Sequence, residues 1–160
     1  MAKAKDILKA QLSFINNAAG QIGVKYMINL ITGKKGTGKT KILVEAIKEA
    51  ASKATGNIVC IERGMKLTYD IPHSVRLADA EEYGVNSFDA LYGFIAGLLA
   101  GNYDIQEIFV DGILKIGGRD YEALGAMLEK VAMLTKDVKM TFTISADVDE
   151  LPAKVRAFIK

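Results

Sequence analysis

The sequence predicts an α/β protein: a three-layer α/β/α sandwich around a mainly parallel sheet. Three observations predict it. Short apolar runs without helical spacing alternate along the chain with longer segments whose apolar residues recur every three or four positions. Strand–helix–strand order of this kind implies βαβ units, hence parallel strands covered on both faces. The length, 160 residues, suits one domain with a sizeable core.

Residues 3–18 read as an amphipathic helix with Leu8, Leu12 and Ile15 on one face, ended by "NNAAGQIG". Residues 1–26 are therefore expected to form a flanking helix and loop, and 27–160 the main domain. "YMINLIT" (26–32) is the first strand. Residues 38–53 follow with helical spacing through Ile42, Leu43, Ala46, Ile47 and Ala50. After the Gly56-Asn57 turn, "NIVCIE" is a second buried strand, and "SVRLADA" a short strand or edge segment.

"SFDALYGFIAGLLAG" (87–101) is a helix capped by Ser87, with Asp89 suited to its positive start. Its Gly93, Gly97 and Gly101 share one face, which predicts close packing on a sheet or a partner chain. "IQEIFVDGIL" (105–114) is the third strand and "DYEALGAMLEKVAMLTK" (120–136) a helix. "KMTFTISAD" (139–147) is the fourth strand, and "DELPAKVRAFI" a closing helix.

Composition excludes several classes. Net charge is +2, so no global field points to nucleic acid. One cysteine, Cys60, and one histidine, His73, cannot form a disulfide within the chain or a multi-cysteine zinc site. Lys3, Lys5, Asp6 and Lys9 interrupt any leader-like apolar run, and stretches such as 90–103 are too short to span a membrane. The expectation is a cytoplasmic protein without a transmembrane segment.

The chemistry concentrates in Gly33-Lys34-Lys35-Gly36-Thr37-Gly38-Lys39-Thr40, with Lys41 following on the helix. It fits G-x-x-x-x-G-K-[ST], placed between a strand and a helix. Glycines let successive N–H groups turn inward around phosphates, and the helix start adds partial positive charge. Lys39 would reach the β- and γ-phosphates, and the Thr40 hydroxyl would ligate Mg²⁺.

On these residues the chain resembles the P-loop NTPases with a RecA-like core, and is similar to short bacterial ATP-binding proteins of that kind. The resemblance implies a P-loop NTPase fold, ATP and Mg²⁺ as ligands, and a second metal-holding acid, which Asp111 of "IFVDG" supplies. RecA-like and AAA+ proteins often follow that aspartate with a catalytic glutamate; here the next residue is Gly112. Glu62, at the end of the strand after the P-loop helix, is the best substitute base, or else a solvated strand-end acid paired with Arg63. Glu107 lies too far from the phosphate edge.

Ser145 either senses the γ-phosphate between the two motif strands or ties down its own strand end. Arg63, Arg76 and Arg119 would serve as finger arginines only across a subunit boundary. Lys34 falls where ParA/MinD-like ATPases carry a signature lysine, but Lys35 replaces their glycine, so a solvated lysine pair beside polyphosphate is the simpler reading. No guanine-reading loop is present: "LTKDV" (134–138) brings its aspartate one residue early.

Three functions follow. The first is a slow or partner-activated Mg-dependent ATPase acting as a switch or assembly module, alone, as a homo-oligomer or with a protein partner. The second is a small-molecule or nucleotide kinase, disfavoured by the presence of only four arginines. The third is a nucleotide-binding adaptor that does not hydrolyse.

Overall fold

Five parallel strands in the order β1-β5-β4-β2-β3 organise the computed structural model, which describes residues 27–134 and 136–159. The strands are β1 (Ile28–Thr32), β2 (Asn57–Glu62), β3 (Val75–Asp79), β4 (Ile105–Val110) and β5 (Lys139–Ile144). The helices are α1 (Lys39–Lys53), α2 (Phe88–Gly101), α3 (Ile113–Gly117), α4 (Tyr121–Leu134) and α5 (Ala153–Arg156), with a 3₁₀ turn at Val148–Glu150. The helix expected over residues 3–18, and with it the flanking segment 1–26, lies outside the described residues.

Side-chain alternation along the strands divides the core in two. Leu30, Val59, Ile61, Ile108, Val110 and Phe142 face a large cluster completed by α2, α3 and α4. Ile58, Cys60 and Phe109 face a smaller one completed by Leu43, Val44 and Ile47 of α1. Helices therefore cover both faces, and burial removes the apolar strands from water on each side. "SVRLADA" yields an edge strand, β3. The other edge, β1, is bridged at Leu30 by Ile159 near the end of the chain.

Several boundaries differ from those expected. The strand read within 105–114 ends at Val110, next to the aspartate near which it was expected to terminate, and Gly112 with a left-handed φ of 67° starts α3. The fourth stops at Ile144, so Ser145 and Asp147 lie beyond it. The closing helix resolves into a 3₁₀ turn and one short helix, since Pro152 cannot continue a helix begun before it. Ile42, expected on the inner stripe of α1, is 55% exposed, because Leu43, Val44 and Ile47 occupy the buried arc.

Ser87 caps α2 as expected, its Oγ accepting from the Ala90 amide at 3.0 Å. The glycine face does not pack on the sheet. Leu91 and Ile95 fill the sheet side completely, and a Cβ on Gly93, Gly97 or Gly101 would meet open space.

Candidate functional site

Parallel strands carry their C-terminal ends to one edge of the sheet, and a cleft of about 1040 Å³ opens there. Its loop side is built by the turn between β1 and α1. Gly36 and Gly38 hold left-handed φ values of 84° and 85°, which turn the backbone at no steric cost to a glycine. Gly38 is also the N-cap of α1 and offers no side chain, so the opening amides of the helix have no side-chain cap.

Lys39, the first residue of α1, is only 7% exposed. Its Nζ donates to the Lys34 carbonyl at 2.7 Å and lies 3.5 Å from Thr37 Oγ1, both neutral acceptors. Burial lowers its pKa below the ordinary lysine value; Asp111 opposes that shift and Lys115 reinforces it. The ammonium is thus held in the cleft floor without a carboxylate in contact.

The next residue, Thr40, places Oγ1 3.3 Å from both oxygens of Asp111. Asp111 sits one residue past β4 and continues the face of Phe109, which is the α1 face. Thr143 of β5 locks it: the hydroxyl donates to Asp111 Oδ1 at 2.7 Å and accepts from the Gly112 amide at 2.7 Å. Both hydrogen-bonding capacities of that hydroxyl are engaged, so the carboxylate is pre-oriented. The pairing of Thr143 with Asp111, 32 residues apart, has no local signal in the sequence.

Of the residues read as nucleotide-binding, Lys35, Gly36, Gly38, Lys39 and Thr40 line the cleft, with Asp111 and Ser145. Gly33 and Thr37 shape the loop from behind, the Gly33 amide donating to the Ala146 carbonyl and the Thr37 hydroxyl to the Lys34 carbonyl. Lys41 is exposed and outside the lining. Lys34 turns away to an exposed ion pair with Asp147 at 3.1 Å.

Glu62 is not brought to the cleft. It is 3% exposed, and its carboxylate accepts from the backbone amides of Lys66 and Leu67. Burial raises its pKa, partly offset by those amides. Nor is it paired with Arg63, whose guanidinium lies 3.7 Å from Glu81. Glu107 pairs with Lys139 at the opposite end of β4.

The far side of the cleft is assembled from the ends of β2 and β3, the Gly84–Asn86 turn, and α3 with the two residues after it. Arg63, Glu81, Lys115 and Arg119 stand there, so arginines of this same chain reach the cleft without a subunit boundary. Among the described residues, no three His, Cys, Asp or Glu side chains gather as a metal cluster, and no helix is long and apolar enough to cross a membrane. No protein-family model matches the chain, and no curated protein matches it.

Proposed function

We propose that the chain binds Mg²⁺–ATP in this cleft and is a slow or partner-activated ATPase whose nucleotide state sets its conformation or assembly. One observation carries the reading: Thr40, on the helix behind the glycine loop, faces both carboxylate oxygens of Asp111 at 3.3 Å. A hydroxyl and a carboxylate brought together across 71 residues are hard oxygen donors of the kind Mg²⁺ takes. Two protein donors leave most of its six positions to phosphate oxygens and water, which is how such sites hold the ion. When bound, the ion neutralises charge on the phosphate oxygens.

The remaining work falls to this chain's residues. Loop amides and the start of α1 cradle the phosphates. Lys39 exchanges the Lys34 carbonyl for a phosphate oxygen, gaining an anionic acceptor in place of a neutral one. Thr143 keeps Asp111 aimed at Thr40. The position of β5 between β1 and β4 sets Ser145 between the two motif strands, in keeping with the RecA-like resemblance.

Slow turnover is supported by what the lining lacks. Its two carboxylates are Asp111 and Glu81, and Glu81 lies on the far side beside Arg63. Nothing on the loop side replaces Glu62 as a base. The kinase reading gains one observation, the presence of Arg63 and Arg119 in the cleft.

Calorimetric titration of ATP with and without Mg²⁺, on the intact protein and Lys39→Ala, tests the proposal. Lys39→Ala is expected to weaken ATP at least tenfold, the scale of one charge-assisted contact. Unchanged binding would sink the nucleotide reading. ATP consumption that appears only with an added metabolite, with ADP formed and no free phosphate released, would favour the kinase.

A further inference from the structure

We propose that the far wall of the cleft is a second binding site, for an oxyanion group carried by a small molecule. The inference rests on the nucleotide reading only in making this site the second of two. Five basic side chains line the cleft against two acidic ones, an excess larger than the +2 of the whole chain. Lys35 and Lys39 belong to the loop side. Arg63, Lys115 and Arg119 come from other segments of the lining, and they include two of the four arginines in the sequence.

These three come from two distant parts of the chain: the residue after β2, and α3 with the turn that follows it, where Lys115 and Arg119 are four residues apart. Gathering like charges from distant parts of a chain is unfavourable unless an anion offsets it. Among the described residues the Lys115 and Arg119 side chains have no hydrogen-bond or ion-pair partner. Arg63 is anchored, with Nη1 donating to the Lys115 carbonyl at 3.1 Å and Nη2 3.7 Å from Glu81. A guanidinium has five N–H donors, so this anchoring orients Arg63 and leaves donors over.

The backbone of the wall is closely packed: a Cβ on Gly117 would come within 2.2 Å of the Phe88 ring at the start of α2. The anchored Arg63 donors bind at lower entropic cost than mobile surface lysines.

Strand order separates this wall from the triphosphate. β5 and β4 lie between β1 and β2, which sets the ends of β1 and β2 about 14 Å apart at the usual strand spacing. A phosphate chain seated on the loop and reaching Asp111 uses β1 to β4; Arg63 stands beyond β2 and Arg119 beyond α3, while Lys115, three residues after Gly112 and close enough to act on Lys39, stands between the two. At about 1040 Å³ the cleft stands at the upper limit of single-ligand pockets, roughly 300–1,000 Å³. The occupant is a phosphate ester or a carboxylate, both of which present an oxyanion to this fork.

The test is an amide NMR titration of the full chain saturated with Mg²⁺ and the non-hydrolysable analogue AMP-PNP. Inorganic phosphate and acetate are added separately at constant ionic strength. Saturable shifts of the Gly117, Gly118 and Arg119 amides are expected with one probe, phosphate indicating an ester and acetate a carboxylate. Arg119→Ala and Arg63→Ala should each weaken that probe fivefold or more while AMP-PNP affinity stays within twofold. No saturable shift with either probe overturns the proposal. So does an equal loss of AMP-PNP affinity in these variants, since the wall then belongs to the nucleotide. Failure of the nucleotide reading shows separately, as Lys39→Ala binding AMP-PNP normally; the same probes and variants on nucleotide-free protein then decide the far wall alone.

Discussion

Glu62 and Asp111 stand at the ends of adjacent buried strands, each after a run of apolar residues, yet they meet different surroundings. β2 and β4 pair in parallel with Ile61 opposite Val110, and the Asp111 amide donates to the Ile61 carbonyl at 2.9 Å. By alternation both acids face the α1 side of the sheet. What differs is the chain that follows. The segment after Glu62 folds over that same side, where Leu67 and Ile71 join the α1 cluster, and its first amides claim the carboxylate. The segment after Asp111 packs on the opposite side, where Ile113, Leu114 and Ile116 join the large cluster. Asp111 is left open toward Thr40. An acid at a strand end becomes available for chemistry only if the next loop leaves its face.

The sharpest way to break this contrast is to neutralise each acid in turn. Asp111→Ala should weaken Mg²⁺-dependent ATP binding about thirtyfold, equivalent to roughly 2 kcal/mol for a charge-assisted contact. Glu62→Gln should leave it within about twofold, because Glu62 touches amides rather than the cleft. Equal losses in calorimetry would erase the distinction.

A smaller effect is expected where Asp111 is held. Thr143→Val keeps shape but removes the hydroxyl that serves both Asp111 and the Gly112 amide. Denaturant unfolding should report a loss of about 1–2 kcal/mol, the cost of a buried donor left unpaired. Unaltered stability would mean that the carboxylate is held by other means.

Acidity should distinguish the two acids more gently. Folding raises the Glu62 pKa above its ordinary value of 4.5, mainly through burial. The folded state therefore holds this proton more tightly than the unfolded chain. The resulting stabilisation is complete below the unfolded value and is lost as pH rises through the folded one. Thermal unfolding of the intact protein, compared with Glu62→Gln, should gain relative stability as pH falls from 7 toward 5. A difference constant over that range would refute the assignment. Least of all should Lys34→Ala matter: its pair with Asp147 is exposed, and both stability and ATP affinity should stay within error. A clear loss of affinity would restore Lys34 to the site.

Much of this was legible along the chain. The glycine loop, Lys39 and Thr40 are contiguous, so their spacing carries their geometry. Asp111 was legible because an apolar strand ending in an acid has a local signature. Glu62 carried the same signature and was read as a candidate base or a strand-end acid paired with Arg63, since nothing in "NIVCIE" tells where residues 64–71 will fold. Thr143 and the far wall had no local signature, because their partners lie tens of residues away. The glycines of α2 were expected against the sheet or a partner chain, and the larger side chains of that helix took the sheet side.

By itself the sequence determined the alternation of strands and helices and the glycine-rich turn between the first strand and the first helix. Period and local backbone freedom are properties of neighbouring residues, and they survive in any tertiary context. The strand order, the face on which each connection packs, and the gathering of Arg63, Lys115 and Arg119 were decided only by the tertiary structure. Those features depend on which apolar faces bury against one another, and that choice is made by the whole core at once.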